Sequence, residues 1–365
     1  MTEVEFYPAA IVGHFNMIMK DDIYKFWGDN PLFKYDKLLY SFYYLMQRYK
    51  DGESSYFKKI GYTGKLMLDS GGFQVRSLGA KIEPEDVIRI YALEKPTVGV
   101  ILDSPFSDGW DEQRVQDAYK NVTYMVKEKH RIPDTELLDV LQGFTLNERR
   151  KYFDTFKEFN DKLDGWCSAS PKKYPPIYDA WNFLHILEND KTMKTKRVHF
   201  LGLTGNKKMA LLYYLAKLDL VKTISVDSTK YGREGIMYDI RNPSFLGERV
   251  SISKNAKGKL KHMNFCPCPV CQNIPVEKMQ SDCNYSILHN LFWEIKKFDF
   301  FDAFDTSEDW KNHIMESKEY DDKTRIAIKF VDYALKHGLE IAEKKFITEF
   351  TGAPPKKQIK TLEDF

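Results

Sequence analysis

The chain predicts an alternating α/β fold of the doubly wound or (β/α)8 barrel kind, followed by a metal-binding segment and a helical C-terminal part. Three observations predict it. Short apolar runs end abruptly in a polar residue or glycine, amphipathic helical patterns separate them, and three cysteines cluster within six residues late in the chain. With 365 residues, 43% of them hydrophobic and 15% aromatic, there is material for one large barrel or two ordinary domains.

The apolar runs lie at 65–69, 98–103, 137–142, 198–203 and 223–227. Each has the length and β-branched content of a strand buried on both faces, as in a parallel sheet. Helical patterns cover 83–95, 111–130, 145–163 and 207–218. The third opens with Thr145-Leu-Asn-Glu148, a capping box, and Asn206 stands where a cap for the fourth is expected. Ser168 to Pro176 reads as a loop by composition, and the basic tail after Gly352 as a loose end. In barrels of this kind the chemistry sits at the C-terminal ends of the strands. Asp69, Asp103, Gln142, Gly202 and Asp227 would then share one mouth.

The run Cys266-Pro-Cys268-Pro-Val-Cys271 places three thiols where they can converge on one small ion, and the prolines limit the chain entropy lost on ligation. Zn²⁺ takes four N or S donors in a tetrahedron, and a site closed by protein ligands is structural. His289, in the apolar helical stretch 285–298, is the expected fourth ligand, with Cys283 and His262 as alternatives. The organisation expected is the main part of the barrel over 1–255, the zinc-binding segment with its helix over 256–300, and a helical part over 301–365.

Five cysteines, three of them in the metal loop, leave no disulfide framework, which indicates a reducing intracellular setting. The start Met1-Thr-Glu-Val-Glu-Phe6 has no basic or apolar region of a secretory signal, and no uncharged apolar run approaches the ~20 residues of a membrane span. A membrane is not expected as a partner, and self-association is left open. Net charge is +2, so any contact with nucleic acid must come from a local patch.

Asp69-Ser70-Gly71-Gly72-Phe73-Gln74-Val75, with Ser77-Leu-Gly79, resembles the signature of the tRNA-guanine transglycosylases. The resemblance runs over about residues 60 to 295. It implies a (β/α)8 TIM barrel with a structural Zn²⁺ on Cys266, Cys268, Cys271 and His289. It also implies the exchange of guanine in a polynucleotide for a free 7-deazaguanine base, a displacement at the anomeric carbon through a covalent intermediate with retained configuration. By that resemblance Asp227 is the nucleophile and Asp69 the acid/base that manages the ring-nitrogen proton. Ser70, Phe73, Asp103, Gln142, Gly202 and Leu203 bind the base. Donor counting agrees with this, since Asp103 can accept from the N–H groups of a guanine and Gln142 can donate to its carbonyl.

Two departures shape the expected substrate. After Asp227 the chain reads Ser-Thr-Lys230-Tyr-Gly-Arg233-Glu-Gly235, shorter than the tRNA-gripping stretch of the family. After Leu203 it reads Thr-Gly-Asn-Lys207-Lys208, without the acid that helps recognise a cationic aminomethyl base. The resemblance is therefore closer to the divergent phage and bacterial DNA 7-deazaguanine transglycosylases, with DNA as partner and neutral 7-cyano-7-deazaguanine as base, and tRNA as the alternative. Lys172, Lys173, Lys207, Lys208, Lys230 and Arg233 are candidate phosphate contacts. A catalytically silent, zinc-stapled nucleic-acid-binding subunit would be expected to lose Asp69 and Asp227, and a zinc hydrolase would need an open coordination position.

Overall fold

A computed structural model describes residues 1–49, 54–72, 74, 78–107, 109–169, 174–203, 205–241, 249–253 and 266–350. Eight parallel strands form one sheet: β1 (Glu3–Pro8), β2 (Lys37–Ser41), β3 (Lys65–Asp69), β4 (Val98–Val100), β5 (Glu136–Leu141), β6 (Gly165–Ala169), β7 (Arg197–Leu201) and β8 (Thr223–Ser228). Their spatial order, β1-β8-β7-β6-β5-β4-β3-β2, is that of a barrel opened between β1 and β2. A parallel bridge between Ala9 and Leu39 joins that seam, with the Ala10 N–H donating to the Leu39 carbonyl at 2.8 Å. The fold is a nearly closed (β/α)8 barrel.

The interior follows from the period of two along each strand. Tyr7, Leu39, Met67, Val98, Val100, Leu138, Val140 and Cys167 fill its middle with apolar side chains. The end below is polar. Glu5, fully buried, pairs with Arg197 at 2.6 Å and with Lys65 at 2.6 Å, and Arg197 also meets Glu136 at 2.7 Å. These cations hold the Glu5 carboxyl at about 2 although burial alone would raise it. Each of these charges is paired, so ion pairs fill the end of the barrel at the strand N-termini.

Helices follow most strands as the periodicity requires: Pro84–Glu94, Glu112–Lys127, Leu146–Phe156, Ile177–Asn189 and Asn206–Lys217. The capping box at Thr145 and Glu148 forms as expected. Two expectations are corrected. Asn206 is not the cap but the first helical residue after Gly205, and its side chain accepts from Lys297 at 3.0 Å. Ser168 and Ala169 are not loop but the end of β6: Ala169 packs with Cys167 in the barrel interior, and Ser168 faces the helix layer, where it accepts from Asn182 at 2.8 Å. The patterns at 111–130 and 145–163 each tighten into a 3-10 turn at their C-terminal ends.

After β8 come a short helix (Lys230–Ile236), the hairpin β9 (Asp239–Arg241) and β10 (Arg249–Ser251), the cysteine loop, and the long helix Cys283–Asp302. That helix closes the outer layer beside β1, with Phe298 stacked on Phe6 at 5.3 Å between ring centroids. The helices Ser307–Glu316, Asp322–His337 and Leu339–Lys345 form a further layer. Trp310 reaches back to donate to the Ala210 carbonyl at 2.8 Å, and Trp181 donates to Glu343 at 3.2 Å. Covered on both sides, the helix Ile177–Asn189 is buried almost all round.

Candidate active site and metal centre

Asp69 ends β3, Asp103 and Gln142 follow β4 and β5, Gly202 and Leu203 follow β7, and Asp227 lies near the end of β8. All sit at the C-terminal end of the barrel. The turn after β3 is shaped to fit. Ser70, fully buried, donates to Asp103 Oδ1 at 3.1 Å, and the Gly71 N–H donates to Asp69 Oδ1 at 3.2 Å. A Cβ on Gly72 would lie 1.8 Å from Asp103 Oδ1, so only glycine lets this turn pass the carboxylate. Gln142, nearly buried, donates to Asp103 Oδ2 at 2.9 Å, and its second N–H remains to serve a ligand. Ser70 is thus turned toward Asp103 and shielded from solvent.

The two outer carboxylates differ in environment. Asp69 is half-buried, and its pKa is pushed up from 3.8 to about 7, first by burial, then by the nearby Asp103 carboxylate and further by Asp227. The Gly71 N–H and the Ser41 hydroxyl oppose the rise. Asp227 is buried, and two groups meet one of its oxygens. The Gly202 N–H, at a φ of +63° that favours glycine, donates to Oδ1 at 2.6 Å, and His199 Nε2 lies 3.3 Å from the same atom. His199 stands in the apolar run read as β7, and it was not among the residues the sequence singled out. A register argument could have found it, because in β7 and β8 it pairs with Ser225, two residues before Asp227.

Two further groups lie near the acids. The Cys167 thiol is held well above its usual range by burial and by Asp139, Asp103, Asp69 and Asp227, so it stays protonated. Asp139 is buried on the helix side of β5 with Oδ2 unpartnered, and burial pushes its carboxyl up to about 8. A cleft of about 590 Å³ adjoins Gly202 and Leu203, lined also by Tyr174, Lys207, Lys208, Lys230 and Tyr320. Of the candidate phosphate contacts, Lys207 pairs with Asp321 at 2.7 Å and Lys208 with buried Asp179 at 2.9 Å. Lys230 opens its helix 3.9 Å from Glu234, and Arg233 lies in the same helix. Phe73, Lys172, Lys173 and His262 lie outside the described residues, as does the tail after Gly352.

Cys266, Cys268, Cys271 and His289 form a cluster whose ligand atoms all lie within 4.8 Å of one another. His289 Nδ1 is 3.1 Å from Cys271 Sγ, 3.3 Å from Cys268 Sγ and 4.0 Å from Cys266 Sγ. Zinc–ligand bonds of about 2.0–2.3 Å in a tetrahedron require ligand–ligand edges of roughly 3.5–3.8 Å, so the donor set fits a metal ion such as zinc. Pro269 begins the helix Pro269–Asn273, and the Cys271 N–H donates to Cys268 Sγ at 3.3 Å, which folds the loop around the site. His289, fully buried, donates from Nε2 to the Arg241 carbonyl at 2.8 Å. That bond fixes the tautomer and leaves the Nδ1 lone pair facing the thiols. Cys283 instead starts the long helix and is not in the cluster.

A buried polar chain leads away from the metal site. The Arg241 guanidinium pairs with Glu234 at 2.6 Å and with Glu294, and Glu294 meets Lys297 at 3.1 Å. Lys297 donates to Asn206, four residues beyond Gly202. Burial lowers the Lys297 ammonium to about 6, with Arg241 and Lys230 adding to the effect. Among the described residues no helix is long and apolar enough to cross a membrane. No protein-family model matches the chain, and no curated protein matches it.

Proposed function

We propose that the protein is a guanine transglycosylase that replaces guanine in DNA by a 7-deazaguanine such as 7-cyano-7-deazaguanine. One observation carries the reading: two carboxylates at the ends of β3 and β8 share the barrel mouth, and the Asp69 pKa is raised to about 7. A displacement at an anomeric carbon needs one carboxylate that stays charged and one that can carry a proton near neutrality. In the first half-reaction Asp227 forms a C–O bond to C1′ of the sugar as the C1′–N9 bond breaks. The bonding pair leaves with guanine, whose ring nitrogen takes the proton of Asp69. In the second, N9 of the incoming base attacks C1′, gives its proton to Asp69 and releases Asp227. Asp103, with Gln142 and Ser70 holding it, accepts from the base N–H groups, and the free N–H of Gln142 serves the carbonyl.

The choice of DNA rests on the short stretch after Asp227 and the absence of an acid after Leu203. In duplex DNA the target nucleotide must leave the stack, at a cost of a few kcal/mol. A metal on the Cys3His cluster is structural in this reading, since its four protein donors leave no position for water. The test expresses the protein in cells supplied with a 7-deazaguanine precursor, digests their DNA and tRNA, and measures modified nucleosides by mass spectrometry. Modified deoxynucleoside is expected. Modification confined to tRNA would replace DNA by tRNA as the substrate, and none in either would refute the activity.

A further inference from the structure

The oxygens of Asp227 are not equivalent. Oδ1 accepts from the Gly202 N–H at 2.6 Å and faces His199 Nε2 at 3.3 Å, whereas Oδ2 takes neither contact. His199 is itself held. Its Nδ1 lies 2.9 Å from the Ser225 hydroxyl, both residues are fully buried, and they pair directly across the β7–β8 ladder. One arrangement of protons satisfies all three groups. Ser225 O–H donates to Nδ1, Nε2–H donates to Oδ1, and Oδ1 accepts. Resting on the reading of Asp227 as the nucleophile, we infer that His199, oriented by Ser225, is a positioning residue. It tethers Oδ1 and leaves Oδ2 as the atom that attacks C1′.

The physical need is plain. A carboxylate rotates about its Cβ–Cγ bond, and a misplacement of about 1 Å at a nucleophile costs up to about 10²-fold in rate. The Gly202 N–H alone constrains one direction. A second donor from the neighbouring strand fixes the plane of the carboxylate, as partners behind metal ligands and catalytic bases do. His199 contacts no open space at the mouth, so it acts through Asp227 and not on the substrate.

Two amide substitutions separate this role from mere packing. Gln places its terminal nitrogen about where Nε2 stands, and Asn places its nitrogen about where Nδ1 stands. His199→Gln should therefore keep the bond to Asp227, while His199→Asn keeps only the bond to Ser225. Melting curves first establish that both variants fold. The readout is incorporation of isotope-labelled guanine into DNA and into tRNA, together with covalent protein–polynucleotide adduct on denaturing gels. His199→Asn should slow adduct formation by about 10–100-fold at saturating polynucleotide with KM little changed, and His199→Gln should recover most of the rate. Ser225→Ala should fall between the two. Equal rates in the Gln and Asn variants, or a parental rate in His199→Asn, would overturn the inference. Asp227→Asn, run in parallel, separates the two claims: adduct persisting there removes the nucleophile assignment itself, whatever the His199 variants do.

Discussion

Replacing Asp69 by Asn should make the protein more stable, and most so in alkaline solution. Its carboxyl is held at about 7 instead of 3.8, by burial first and then by the Asp103 carboxylate. The folded chain thus binds this proton more tightly than the unfolded chain. The resulting contribution to stability is fully present below about pH 4 and is lost as pH rises through about 7. At about 1.4 kcal/mol per pH unit, keeping the group charged above that point costs up to about 4 kcal/mol. Solvent at the mouth reduces the observable share to about 2 kcal/mol. Asn still accepts from the Gly71 N–H but carries no charge beside Asp103 and Asp227. Chemical unfolding of the metal-loaded protein should give the Asn variant a gain of about 2 kcal/mol at about pH 8.5, falling to less than half of that at about pH 5. The same variant should lose base exchange, as a site that stores strain for function would. A stability difference independent of pH would refute the reasoning and with it the proton held at Asp69 near neutrality.

Asp227→Asn keeps shape and hydrogen bonding but not the nucleophile, so labelled-guanine exchange should vanish while binding to the polynucleotide, followed by gel shift, persists. In Gly72→Ala the added methyl, 1.8 Å from Asp103 Oδ1, must displace that carboxylate. KM for the free base should rise by about 10-fold or more, from about 1–3 kcal/mol of mismatched hydrogen bonding, and the melting temperature should fall, because the methyl also lies 2.8 Å from the Asp103 backbone carbonyl. Cys268→Ser should lower zinc content by elemental analysis and lower the melting temperature, because the metal supplies folding free energy. A metal-free Cys268→Ser protein with parental stability would contradict that role.

Five of the eight strands were legible as apolar runs with polar ends, and those ends led to the mouth. The other three were hidden for physical reasons. In β1 the alternation is broken by Glu5, which is buried only because Arg197 and Lys65, distant in sequence, come to meet it. β2 runs straight into the apolar helix Phe42–Met46, so no lasting polar break marks its end, and in β6 the small Ser168 and Ala169 read as the start of a loop until neighbours on both sides bury them. The cysteine cluster was readable because its ligands are local, whereas choosing among His289, Cys283 and His262 depended on where a helix points. His199 was invisible for the converse reason. Alone in an apolar strand it looks like core, and only the register that sets it opposite Ser225, two residues before Asp227, brings it to the carboxylate.

The polar chain from His289 through Arg241, Glu294 and Lys297 to Asn206 bears on how a newly made chain matures. The strands through β8 precede the cysteine loop in the chain, so they emerge from the ribosome before any ligand for the ion exists. The long helix that holds His289 also lays Phe298 against β1, the first strand made. Capture of an ion by the Cys3His cluster would therefore fix the element that spans the two ends of the barrel's history, and the same chain braces the helix that follows the Gly202 N–H. Metal supply would then govern how many finished barrels present a correctly set mouth, as distinct from how many chains have folded strands.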